Sequence, residues 1–65
     1  MAKDTKTKIT EGFEELVDTI DTAIEEWDRY KDDGVKKGAK NSRKLVLDVK
    51  KKAAEIRSDF KDLDL

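Results

Sequence analysis

The chain contains no cysteine, no histidine and no proline. Without the first two there are no disulfides, thiolate nucleophiles or imidazole bases, and the usual ligands for zinc, copper and haem are missing. Most catalytic chemistries go with them, so no enzyme, no metal site and no cofactor are expected. Turn formers are scarce, with three glycines in 65 residues, which argues against a sheet domain. No apolar run approaches the ~18 residues of a membrane span, and Met1-Ala2-Lys3-Asp4 lacks the apolar stretch of a signal peptide. A soluble, cytoplasmic chain is the expectation, with no membrane and no small-molecule substrate as partner. Sixty-five residues make one small domain with a marginal core, so self-association is expected from the outset.

What is abundant is charge, at 48% of residues. The net charge of -1 conceals a division of the chain into two halves. Residues 1–34 carry eleven Asp/Glu against five Lys/Arg, whereas residues 35–57 carry nine Lys/Arg against Asp48 and Glu55. The last eight residues turn acidic again, with three Asp against Lys61. An acidic half and a basic half therefore share one chain, and its overall isoelectric point says little about partners.

Apolar residues in the first half fall at Ile9, Phe13, Leu16, Ile20, Ala23, Trp27 and Tyr30, in alternating steps of four and three, with Val17 and Ile24 widening the stripe. This spacing predicts an amphipathic helix over about 7–33, after a frayed N-terminus at 1–6. Asp4, Thr5, Thr7 and Thr10 are all candidate caps. Asp32-Asp33-Gly34 predicts its end, because glycine takes the left-handed conformation that closes a helix. A turn over 34–38 leads to a second, basic helix over 36–63, with its stripe at Val35, Ala39, Ser42, Val46, Val49, Ala53, Ile56, Phe60 and Leu63. Folding the halves back at Gly34 pairs Tyr30 with Ala39, Trp27 with Ser42, Ala23 with Val46, Ile20 with Val49, Leu16 with Ala53, Phe13 with Ile56 and Ile9 with Phe60. The expected fold is all-α, an antiparallel two-helix hairpin of coiled-coil type in a single domain. Val17, Ile24, Leu45 and Leu47 are left without evident cover, so we expect a homodimer, most simply a four-helix bundle, with these four at the dimer or partner interface.

On the second helix Lys36, Lys37, Arg43, Lys44, Lys50, Lys51 and Arg57 fill seven of eight positions on one edge, with Ser58 the exception. The edge runs roughly 30 Å at ~1.5 Å per residue, close to one turn of DNA, so several phosphates could be met at once. Lys40, near the helix start, joins Lys36 and Lys37 around backbone N–H groups that favour an anion. The competing reading is a salt-bridge ladder within the hairpin, pairing Glu14, Asp21 and Asp28 with Arg57, Lys50 and Arg43. It leaves Lys36, Lys37, Lys40, Lys44, Lys51 and Lys52 without partners. Trp27 and Tyr30 could stack on bases but sit in the seam and are assigned to the core. Asp28 to Gly34 is similar in outline to a calcium loop, yet its glycine is one place late and no Glu closes it.

Gly34-x-Lys36, Arg43-Lys44, Asp48-Val49-Lys50 and Ala53-x-Glu55-Ile56-Arg57 resemble the conserved half of the bacterial linker-histone-like family, small DNA-condensing proteins that include the chlamydial histone-like proteins. The acidic first half, from Phe13 to the aromatics before Gly34, is also similar, so the resemblance spans about residues 10–62. It implies a short helical core, non-specific binding to double-stranded DNA and chromosome compaction in the nucleoid. Asn41 stands where the family usually has another Arg, and acidic residues 59–65 replace the long Lys/Ala-rich tail of the chlamydial members. Both departures imply weaker DNA affinity. The alternative is a helical interaction or scaffold module that binds no nucleic acid and docks a partner helix through its spare apolar positions.

Overall fold

In the computed structural model, which describes residues 4–63, Asp4 opens the first helix. Its carboxylate accepts the backbone N–H of Thr7 at 2.7 Å, satisfying one of the orphan donors of the first turn. That hydrogen bond, with a second contribution from the Thr7 side chain, holds the Asp4 carboxyl below the ordinary carboxylate range. With this cap in place α1 runs Thr5–Asp33, beginning two residues before the stripe alone suggests. Thr5 and Lys6 are already helical, and the remainder of the expected frayed segment, residues 1–3, lies outside the described residues.

Gly34 closes α1 in the left-handed conformation, with φ +68°, and its N–H donates to the Tyr30 carbonyl at 2.9 Å. Only Gly34 and Val35 connect the two helices, and α2 runs Lys36–Phe60. Residues 61–63 continue as a turn and bend, and residues 64–65 of the acidic end lie outside the described residues.

With Gly34 left-handed and Val35 extended the chain reverses, and the helices form an antiparallel all-α hairpin with no strand among the described residues. Its dimensions are 48 × 19 × 17 Å, with a radius of gyration of 15.0 Å. A compact domain of this length would have a radius of roughly 11 Å.

Gly38 makes the close approach at the turn possible. It is buried in the first turns of α2, and a Cβ there would overlap the Glu26 carbonyl oxygen and press on Arg29 Cβ and Tyr30 N. At the other end a Cβ on Gly12 would stand 2.8 Å from Ile56 Cγ1. Between them the Ser42 hydroxyl donates to the Ala23 carbonyl at 2.9 Å, a polar pin through the seam.

The observed neighbours are offset from the expected layers. Ser42 meets the Ala23 carbonyl rather than standing opposite Trp27 alone, and Ile56 meets Gly12. The Phe13 ring instead packs edge-on to Phe60, with centroids 6.4 Å apart. Helical side chains lean toward their own N-terminus, so antiparallel partners meet a few residues away from the positions that lie level.

Two helices bury only a narrow strip. Ile9, Ala23 and Ile56 are the buried hydrophobic residues, while Phe13, Val17, Ile24, Trp27 and Val46 all keep 46–57% of their surface. Trp27 and Tyr30, assigned to the core from the sequence, are 46% and 41% exposed and lean on each other at 5.6 Å between centroids. Ile20, Ala23, Ile24, Trp27, Ser42, Val46 and Val49 line an open groove of about 290 Å³ along one side of the seam. The hairpin thus leaves one apolar face uncovered.

Candidate nucleic-acid interface

All eight cations picked out on the basic helix, Lys36, Lys37, Lys40, Arg43, Lys44, Lys50, Lys51 and Arg57, lie on α2 and are exposed. Helical periodicity spreads them over two rows. Arg43, Lys50 and Arg57 repeat every seven residues beside Val46 and Ala53, along the rim of the apolar groove. Lys37, Lys44 and Lys51 repeat behind them and point away from α1.

None of the eight has an ion-pair partner among the described residues. The intrachain ladder therefore does not form. Its acids, Glu14, Asp21 and Asp28, repeat every seven residues beside Val17 and Ile24, on the outer rim of α1. The cations line the outer rim of α2, and the apolar face separates the two rows. Asp28 forms an ion pair instead with Lys31 at 3.3 Å on its own helix. The cross-helix ion pair that does form joins Lys52 to Glu15 at 3.4 Å, on the opposite side of the seam, the side that also carries Thr19 and Glu26.

The start of α2 concentrates the charge. Val35 occupies the cap position without a side-chain hydrogen bond, and the first turn holds no acidic residue. Exposed Lys36 and Lys37 sit there against the positive end of the helix dipole, an unfavourable placement that an anion would reverse. Lys40, Arg43 and Lys44, one turn on, surround Leu47 in a shallow depression of about 380 Å³. Spacings of three and four among Lys36, Lys37, Lys40, Arg43 and Lys44 place like charges next to one another, each close pair costing about 0.2–0.5 kcal/mol.

The four apolar residues left over from the sequence stripes divide. Val17 (54% exposed) and Ile24 (51%) lie on the open face, Ile24 lining the groove itself. Leu45 is half-buried and does not line the groove. Leu47 lies among the cations on the back of α2. Gly12, Gly38 and Ser42 shape the site in ways the sequence reading missed, which placed Gly38 in the turn and Ser42 in the stripe opposite Trp27. Their roles depend on a missing Cβ or a single hydroxyl, which apolar periodicity does not register.

No family model, no curated protein and no solved structure matches this chain. Among the described residues no helix is long and apolar enough to cross a membrane.

Proposed function

We propose that this chain is a histone-like nucleoid protein, a homodimeric helical hairpin that binds double-stranded DNA by its phosphates without reading sequence. The observation that carries this reading is the run of eight exposed α2 cations with no carboxylate partner among the described residues. Mutual repulsion along that row and at the α2 N-terminus is relieved when phosphates approach, and this supplies a sequence-independent driving force. The resemblance of the basic half to the bacterial linker-histone-like family points the same way. Acidic α1 serves as the scaffold, and its charge tunes affinity downward and limits self-aggregation.

A gel-shift titration at two salt concentrations tests it. With about six phosphates neutralised, log affinity falls against log salt with a slope near -5. Lys44→Glu with Lys51→Glu weakens binding at least tenfold and flattens that slope, while far-UV circular dichroism stays unchanged because both side chains are exposed. Absence of duplex binding at low salt ends the DNA reading, and binding that ignores both reversals ends the site assignment.

The second reading, an interaction module that docks a partner helix, is favoured by the apolar groove and by the exposure of Phe13, Val17, Ile24, Trp27 and Val46. It predicts saturable protein binding that persists after the two lysine reversals.

A further inference from the structure

The open face of the hairpin has a sided charge pattern. Across it, in order, stand an acidic rim (Glu14, Asp21, Asp28), the apolar surface of α1, the apolar surface of α2, and a cationic rim (Arg43, Lys50, Arg57). We infer that a second copy of this chain covers the face, about a two-fold axis parallel to the helices, so that α1 of each protomer lies on α2 of its partner and the charge ladder closes between subunits. This specifies the geometry of the dimer invoked above, leaves Lys36, Lys37, Lys40, Lys44 and Lys51 as the cations open to phosphate in that dimer, and stands whether or not the dimer binds DNA.

The alternatives are discriminated by charge. A two-fold axis running across the helices would stack α1 on α1, setting acidic rim against acidic rim and cationic against cationic. The parallel axis sets each acidic rim against a cationic one, twice per dimer, and keeps every neighbouring helix pair antiparallel.

Axial register agrees. Within the chain, contacts made close to the backbone, where no long side chain leans, join residues whose numbers sum to about 65–68, as at Ser42 with Ala23 and Gly38 with Arg29 and Tyr30. An axis parallel to the helices preserves height, so the same rule holds across subunits. The pairs Glu14 with Arg57, Asp21 with Lys50 and Asp28 with Arg43 sum to 71, an offset of roughly 6 Å at 1.5 Å per residue. The N-terminal lean of both side chains in an antiparallel pair shortens that gap from both ends.

Area agrees as well. The chain exposes 5439 Å², where a compact 7.5 kDa protein exposes roughly 4,200 Å². The surplus exceeds the ~800 Å² per partner of a standard interface.

Charge-reversal variants and sedimentation equilibrium test the arrangement. The wild-type chain sediments as a dimer at micromolar concentration. Arg43→Glu/Lys50→Glu/Arg57→Glu, and separately Glu14→Lys/Asp21→Lys/Asp28→Lys, each weaken self-association roughly a hundredfold, from six exposed pairs lost per dimer. Mixing the two variants one to one restores a dimer of wild-type helicity, which shows that loss of folding is not the cause. Cysteine probes add the geometry, on a background that has no native cysteine. Ile20→Cys mixed with Val46→Cys gives a disulfide-linked heterodimer, whereas Ile20→Cys alone gives none. A monomeric wild type, rim reversals that leave the dimer intact, failure of the mixture to reassociate, or self-linking through Ile20→Cys would each overturn the proposal.

Discussion

The two helices are similar in length and opposite in finish. α1 is capped at both ends, by the Asp4 carboxylate and by left-handed Gly34. α2 starts on Val35 with no capping side chain, carries lysines where the helix dipole disfavours them, and ends on Lys61 in an ordinary right-handed conformation. Both ends of acidic α1 are thus completed within the chain. The start of basic α2 is left without a side-chain cap, and its eight exposed cations have no carboxylate partner among the described residues.

This contrast can be broken or sharpened by substitution. The largest effect on the isolated fold is expected at Gly38. Gly38→Ala drives a methyl group into the Glu26 carbonyl and costs about 2 kcal/mol as the helices are pushed apart at the turn. Thermal melting checks it, and an unchanged melting temperature would show that the corner relaxes freely. A smaller change of opposite sign is expected at the start of α2. Val35→Thr supplies the missing cap at nearly constant volume and stabilises by about 0.5 kcal/mol, detectable as a higher melting temperature. No gain there would mean that the first turn of α2 is already satisfied.

The smallest effect lies at the beginning of α1. Because hydrogen bonding to Thr7 lowers the Asp4 pKa on folding, the capping contribution is complete above the ordinary carboxylate range. It fades as acid takes the solution down through the lowered folded value. Amide exchange at Thr5, Lys6 and Thr7 should accelerate in that acid window, and Asp4→Ala should remove the pH dependence while leaving exchange in the middle of α1 unaltered.

Much of the fold was legible from spacing alone. Steps of three and four marked both helices, and Gly34 marked the reversal. Gly38 was read as part of the turn, because from sequence a glycine that admits a neighbouring backbone looks the same as one that breaks a helix. The seven-residue repeats of Glu14, Asp21, Asp28 and Arg43, Lys50, Arg57 gave the axial match of two charged rows. They did not say on which side of the seam each row lies. That depends on the roll of the helices about their axes, which Gly12, Gly38 and Ser42 determine through short-range contacts. For the same reason Phe13, Ile20 and Trp27 were read as seam, although a pair of helices has room to cover only part of so wide a surface.

The bend at Gly34 has a consequence for the shape of the whole chain. Nothing stands within 4 Å of where a side chain would project from that residue, so the straight path is opposed by its dihedral angles and by the contacts between the helices, such as Ser42 on the Ala23 carbonyl and Phe13 on Phe60. Were Gly34 and the extended Val35 both to turn right-handed and those contacts to part, α1 and α2 would merge into one uninterrupted rod spanning 5–60, roughly 84 Å long at 1.5 Å per residue. The rod would lay bare the seam that the hairpin covers, and a joint of two residues stands between a short bracket and a long strut.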